Sequence, residues 1–182
     1  MSLDGFVADK NGSLDFFTRL TPEQNTYSDN DQLRFLDGID TILLGRKTYE
    51  LFADFWPTAT TDQEIIADRL NQLNKIVFSE TLKTAPWGKW NNAEIVSGEL
   101  IDAVNKLKAQ NGKNMVMWGS ISVAQALMAE NLVDEYHIQL CPTLTGGGRK
   151  LFVEPSEQLE LKLIEVRQYN TGTTFLSYKV KK

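Results

Sequence analysis

Apolar residues in this 182-residue chain come in short unbroken runs separated by amphipathic stretches, and that alternation sets the order of elements. Thr41 to Leu44 is strand-like, stops at Gly45 and passes at once into Arg46 to Phe55, a helix-competent segment closed by Trp56-Pro57. A residue before proline avoids the helical region, so the helix ends there. Thr61 to Leu73 carries Ile65, Ile66, Leu70 and Leu73 at a helical rhythm and leads into a strand at Ile76-Val77-Phe78. Ile95-Val96 is a further brief strand. Gly98 to Gln110 sets Leu100, Ile101, Val104 and Leu107 on one helical face, and Gly112 ends it. Met115 to Trp118 is apolar throughout and precedes a helix over Ser122 to Asn131. Unbroken runs between amphipathic helices are what a parallel sheet covered on both faces requires.

The last third changes character. Glu135 to Leu140 is strand-like, Thr145 to Arg149 is a glycine-rich loop, and strands at Leu159 to Tyr169 and Thr173 to Val180 flank Asn170-Thr171-Gly172, a hairpin signature. Before Thr41 the chain reads as an irregular, Gly- and Asp-rich beginning. The predicted architecture is α/β, a mostly parallel central sheet with an antiparallel C-terminal hairpin. With 42% hydrophobic residues and no linker, the chain is expected to form one domain over residues 1–182.

Lys plus Arg (19) against Asp plus Glu (24) leaves a net charge of −5, which argues against a nucleic-acid or membrane-surface binder. Cys141 stands alone in an apolar stretch and reads as buried packing in a reducing compartment. Neither a leader nor a membrane-length apolar run is present, so a soluble cytoplasmic protein is expected. No His/Cys cluster has metal-ligand spacing, and Gly-x-Ser-x-Gly, Walker and Gly-x-Gly-x-x-Gly motifs are missing. The single histidine, His137, falls inside a strand and reads as structural.

Chemistry concentrates at three strand ends: Leu44 into Gly45, Phe78 into Ser79, and Trp118 into Gly119-Ser120. In open α/β sheets ligands bind beyond the carboxyl ends of strands, so these turns are expected to line one crevice. Gly45 and Gly119 let backbone approach a ligand, Thr48, Ser79 and Ser120 donate hydrogen bonds, and Arg46 and Lys47 offset phosphate charge. Singly, each has a plainer reading, a tight turn for the glycines and a cap for the serines. Cations in a first helical turn oppose the helix dipole, which favours a bound anion beside Arg46 and Lys47. Asp4 could orient a substrate group, and Phe16, Phe17 and Trp56 either wall a ring pocket or pack in the core.

Ser2-Leu3-Asp4-Gly5-Phe6-Val7-Ala8, Gly45-Arg46-Lys47-Thr48-Tyr49-Glu50, Trp118-Gly119-Ser120, Leu132-Val133-Asp134-Glu135, Pro142 and Gly146 to Phe152 together resemble the dihydrofolate reductase-like superfamily. The branch they resemble most is the reductase domain of the riboflavin-biosynthesis deaminase-reductase and its stand-alone relatives. The resemblance implies a three-layer α/β/α dihydrofolate reductase-like fold, NADPH as cofactor, hydride transfer to a small heterocyclic or sugar-phosphate substrate, pyrimidine- or pterin-like, and a homodimer. Carried over, Arg46 would meet the adenosine 2′-phosphate, Gly45 and Thr48 the pyrophosphate turn, and Ser79 the adenosine ribose. Gly119 and Ser120 would face the pyrophosphate and nicotinamide half, while Asp4 and Gly146 to Gly148 would border the cleft. Two departures stand out. Relatives commonly carry an apolar strand ahead of Ser-Leu-Asp-Gly, which here starts at residue 2. Arginine often follows the strand-end serine where this chain has Glu80, whose charge opposes a 2′-phosphate and leaves NADH possible, or reliance on Arg46, Lys47 and Lys83. A catalytically silent nucleotide-binding protein on the same fold is the alternative.

Overall fold

The structure, a computed structural model, describes residues 1–18, 22–153 and 158–181, without side chains at 17, 18 and 22–29. In chain order the elements are β1 (Phe6–Ala8), α1 (Asp15–Thr18), α2 (Pro22–Asp37), β2 (Ile39–Gly45), α3 (Arg46–Phe55), α4 (Ala67–Gln72), β3 (Asn74–Phe78), β4 (Ala93–Val96), α5 (Leu100–Lys108), β5 (Asn114–Met117), α6 (Ile121–Ala129), β6 (Glu135–Leu140), β7 (Arg149–Lys150), β8 (Leu161–Gln168) and β9 (Thr174–Val180). They fall into two compact units, Asp29–Ala126 and the pair of segments Met1–Ser28 and Leu127–Lys182.

The first unit is built on a parallel four-stranded sheet ordered β4-β3-β2-β5. β2 is central, and Ile39, Ile42, Leu43 and Leu44 are all buried, which is why its sequence is a continuous apolar run. α3 presents Tyr49, Phe52, Ala53 and Trp56 to the core, an i, i+3, i+4, i+7 stripe, while Leu51 and Phe55 stay exposed. Leu36, Ile66, Leu70, Leu73, Val77 and Trp87 complete the core, each buried side chain contributing about 1.5–3 kcal/mol of transfer free energy. The segment read as one helix from Thr61 to Leu73 is helical only from Ala67. Ahead of it, the Gln63 side chain accepts from the Thr60 amide and the chain turns through Thr60 and Glu64 carbonyls, local bonds that compete with a helix start.

A polar cluster sits inside this apolar unit. Lys75 on β3 is fully buried, and its Nζ donates to the carbonyls of Asn71 (2.6 Å) and Leu73 (2.7 Å) and lies 4.4 Å from the Trp87 ring centroid. Asn71, also fully buried, accepts from Trp87 Nε1 at 2.8 Å and donates to the Trp56 carbonyl at 2.7 Å.

The second unit contains the antiparallel sheet β6-β9-β8 and the short pair β1-β7. The predicted hairpin joins β8 to β9: the Gly172 amide donates to the Tyr169 carbonyl, and Gly172 takes a positive φ of 81° that favours glycine. Ser2 bridges to Cys141, and the Cys141 amide donates to the Met1 carbonyl at 2.8 Å, so the first residues run beside the end of β6. The parallel sheet and the antiparallel hairpin both match the architecture expected from the sequence. No helix among the described residues is long and apolar enough to cross a membrane.

Candidate functional site

Two of the three strand-end turns interlock. The Gly45 amide donates to the Gly119 carbonyl at 3.3 Å, binding the turn after β2 to the turn after β5. Each glycine faces a hydroxyl side chain of the other turn. A Cβ on Gly45 would collide with Ser120 Oγ and stand 2.9 Å from Ser120 Cβ, and one on Gly119 would stand 2.9 Å from Thr48 Oγ1. Gly119 also has a φ of 118°, and the Gly119-Ser120 peptide is cis. Gly45, Thr48, Gly119 and Ser120 thus form one structure. Ser120 Oγ lies 3.1 Å from Ser122 Oγ, giving two hydroxyls at this edge.

Helix α3 opens from this junction. Gly45 is its N-cap, no side chain caps it and its first turn holds no acid, so its leading amides stay available to an anion. Lys47 is exposed beside them. Arg46 is engaged: its Nη1 donates to both carboxylate oxygens of Glu50, at 2.8 and 3.0 Å. The reading of Arg46 as an open cation overlooked this pair, though its i, i+4 spacing is visible in the sequence.

Ser79, at the end of β3, spends its hydroxyl locally. Its Oγ accepts from the amides of Thr81 (3.2 Å) and Leu82 (3.1 Å), the turn role that serines commonly take. β3 lies beside β2, with Phe78 in register with Gly45, so Ser79 follows on the same edge of the sheet. Glu80 is exposed, and its carboxylate accepts from the Gly98 amide at 2.7 Å, a partner the sequence did not reveal. Trp56 packs with Phe52 (6.0 Å between centroids) and Phe55 (5.2 Å) against the core, the plainer of its two readings. The Phe17 side chain lies outside the described residues.

The remaining candidates meet in the other unit. Asp4 Oδ2 accepts from the Gly146 amide at 2.8 Å and Oδ1 from the Thr145 amide at 3.2 Å, fastening the N-terminal segment to the glycine loop. The Ser2 hydroxyl first, then the Gly146 and Thr145 amides, hold the Asp4 carboxyl down at about 2 from its usual 3.8, against some desolvation. A Cβ on Gly148 would strike the Ala8 carbonyl, and one on Gly147 would meet Lys10 Cε at 2.6 Å, so these glycines permit close passage along β1. The loop is therefore pinned rather than a free turn. Asp4→Ala is expected to speed amide hydrogen exchange at Thr145 and Gly146 by roughly tenfold or more while leaving β2 unaffected. Unchanged exchange would contradict the latch. Its folded pKa lies below the unfolded value, so the latch holds at neutral pH and is lost as pH falls from about 4 toward 2.

Comparison with known proteins gives a consistent picture. The model of the RibD C-terminal domain family matches residues 1–175. The uncharacterized protein YyaP of Bacillus subtilis (strain 168) is 30% identical over 181 residues, covering 98% of this chain and 90% of that protein. The crystal structure of a proposed riboflavin biosynthesis protein of Shewanella sp. PV-4 superposes with a TM-score of 0.78 at 27% identity, over 100% of this chain and 96% of that one. Dihydrofolate reductase from Enterococcus faecalis, solved in complex with NADP(H), shares the fold at a TM-score of 0.58 and 12% identity, over 100% of this chain and 93% of that one.

Proposed function

Because the chain belongs to the RibD C-terminal domain family, we propose that it is a reductase that uses a nicotinamide cofactor, NADPH by the family resemblance, to reduce a small pyrimidine- or pterin-like substrate. The observation that carries this reading is the Gly45–Gly119 junction with the uncapped start of α3 beside it. The donors there suit a dinucleotide phosphate: backbone amides, the Thr48, Ser120 and Ser122 hydroxyls, and the Lys47 ammonium. A reduced nicotinamide, when bound, supplies the hydride; the chain's task is to hold and orient it. In this reading α3 and Lys47 take the pyrophosphate, and the interlocked turns fix the spacing between the β2 and β5 ends. Ser79, whose hydroxyl is already used in its own turn, would contribute position more than a donated bond. The family match, over residues 1–175, runs through both compact units, which supports reading them as one domain.

Titration with NADPH and NADH, followed by tryptophan fluorescence, tests the reading. Trp118 immediately precedes Gly119 and serves as the local reporter, with Trp118→Phe as control. Quenching is expected, and absence of binding at millimolar cofactor would end the proposal. Binding without cofactor oxidation across pyrimidine, pterin and carbonyl substrates would favour the silent nucleotide-binding protein instead.

Arg46 supplies a finer test. A 2′-phosphate must compete with Glu50 for its guanidinium, a pair in which both side chains are about two-fifths exposed. Glu50→Gln is therefore expected to strengthen NADPH binding up to about fivefold relative to NADH. Arg46→Ala should weaken NADPH more than NADH. Equal effects on both cofactors would exclude Arg46 from the 2′-phosphate site.

A further inference from the structure

Four steps along the chain set a glycine after an aspartate or an asparagine: Asp4-Gly5, Asn11-Gly12, Asp37-Gly38 and Asn111-Gly112. At such a step the glycine nitrogen can close on the preceding side-chain carbonyl carbon, because no Cβ shields the approach. The five-membered succinimide that forms opens with water to aspartate or isoaspartate. Residue identity alone does not separate the two asparagine steps.

The fold separates them. Three of the four glycine amides are spent in turns of one kind, each donating to the carbonyl three residues before it: Gly5 to Ser2 at 3.1 Å, Gly12 to Asp9 at 3.0 Å and Gly38 to Phe35 at 3.1 Å. The Gly112 amide has no hydrogen-bond partner among the described residues. It lies with Asn111 in the exposed bend between α5, which ends at Lys108, and β5, which starts at Asn114.

Asn11 is exposed too, so exposure does not decide between them. Its loop, however, is fixed by more than the glycine bond. Asp9 Oδ1 accepts from the Asn11 and Ser13 amides, each at 2.8 Å, and the Asp9 amide donates to the Ser13 carbonyl at 3.0 Å. That loop must open before Gly12 can turn its nitrogen on Asn11. Charge does not decide it either, since a carboxylate stands at both places. A Cβ on Gly112 would lie 2.8 Å from Asp40 Oδ2, which accepts from the Lys113 amide at 2.6 Å. What differs is the bond on the attacking nitrogen.

We infer that Asn111 is a site of spontaneous modification, deamidating through a succinimide, while the fold protects Asn11. A solvent base takes the Gly112 amide proton, the nitrogen bonds to Asn111 Cγ, and the side-chain nitrogen leaves as ammonia with a proton from water. Water then adds to either ring carbonyl and one C–N bond breaks. The product is aspartate, or isoaspartate in which the backbone runs through the former side chain. Nothing is oxidised or reduced. Either product adds a negative charge in the bend that holds Asp40. Isoaspartate also lengthens the path into β5, whose first amide, at Asn114, donates to the Gly38 carbonyl at 3.1 Å. The inference does not depend on the cofactor reading.

Incubating the full chain in warm, mildly alkaline buffer, then mapping both asparagine peptides by mass spectrometry, tests it. Asn111 is expected to convert at least about fivefold faster than Asn11, the factor in rate that opening one or two hydrogen bonds is worth. Its product should divide between aspartate and isoaspartate, the signature of the cyclic intermediate. In guanidinium chloride above the unfolding transition the two asparagines should convert at comparable rates, because the protection belongs to the fold. Four results would each overturn the inference: Asn11 converting as fast as Asn111 in the folded chain, Asn111 staying intact there while it converts in denaturant, a product at Asn111 without isoaspartate, or a rate difference that persists in denaturant.

Discussion

Gly45→Ala is expected to destabilise the protein by about 1–3 kcal/mol, the usual cost of forcing an extra group into a filled site. Backbone conformation is not the reason, because Gly45 has φ −81° and ψ 157°, an extended setting any residue adopts. The obstacle is Ser120, whose Oγ and Cβ occupy the space a methyl would take, with Val123 Cγ2 only 3.2 Å from the same point. Relief by moving the Ser120 turn would drag Gly119, whose carbonyl accepts from Gly45. Cofactor affinity should therefore fall together with stability. Ser120→Gly removes the colliding atoms, so the double variant should recover most of the loss in a denaturant midpoint, a coupling that independent sites would not show. If Gly45→Ala unfolds at the wild-type midpoint, the two turns do not interlock as described.

The interlock also explains what was legible in the sequence. β2, Gly45 and α3 could be read directly, since a buried parallel strand is apolar at every position and a helix with one apolar stripe is periodic. The convergence of Gly45 with Gly119 followed from topology, as both turns sit at carboxyl ends of adjacent parallel strands. α2 was not legible: Pro22 to Gln32 is almost wholly polar, and among its described side chains Leu33, Phe35 and Leu36 near its end reach the core. The partners of Glu80 and Asp4 were hidden for another reason. Both carboxylates bind backbone amides, of Gly98 and of Thr145 and Gly146, and amides leave no trace in residue identity. Charge counting read Glu80 by its sign alone, and the Gly98 amide that its carboxylate accepts from adds a position to that charge without removing it.

Lys75 was invisible for a similar reason, its partners being carbonyls and a ring face, and it makes the strongest pH prediction. Burial pushes its ammonium from 10.5 down to about 7. The folded state therefore binds fewer protons than the unfolded chain between about pH 7 and 10.5, and stability should rise with pH across that window. A tenfold weakening of proton binding is worth about 1.4 kcal/mol, so holding the charged group at neutral pH costs on the order of 3–5 kcal/mol relative to its neutral form. Removing the amine does not orphan its acceptors, because Asn92 Nδ2 donates to the same Asn71 and Leu73 carbonyls at 2.8 Å each. Lys75→Met keeps an unbranched chain against Trp87, and it should leave stability at pH 7 unchanged or raise it by about 1–4 kcal/mol, as replacement of buried charge commonly does. The rise between pH 7 and 10 should disappear in that variant, measured by urea unfolding at a series of pH values. A variant that keeps the slope would assign it to another group. One that loses more than about 3 kcal/mol at pH 7 would mean that the ammonium, held by two carbonyls and a tryptophan face, is compensated beyond its cost of desolvation.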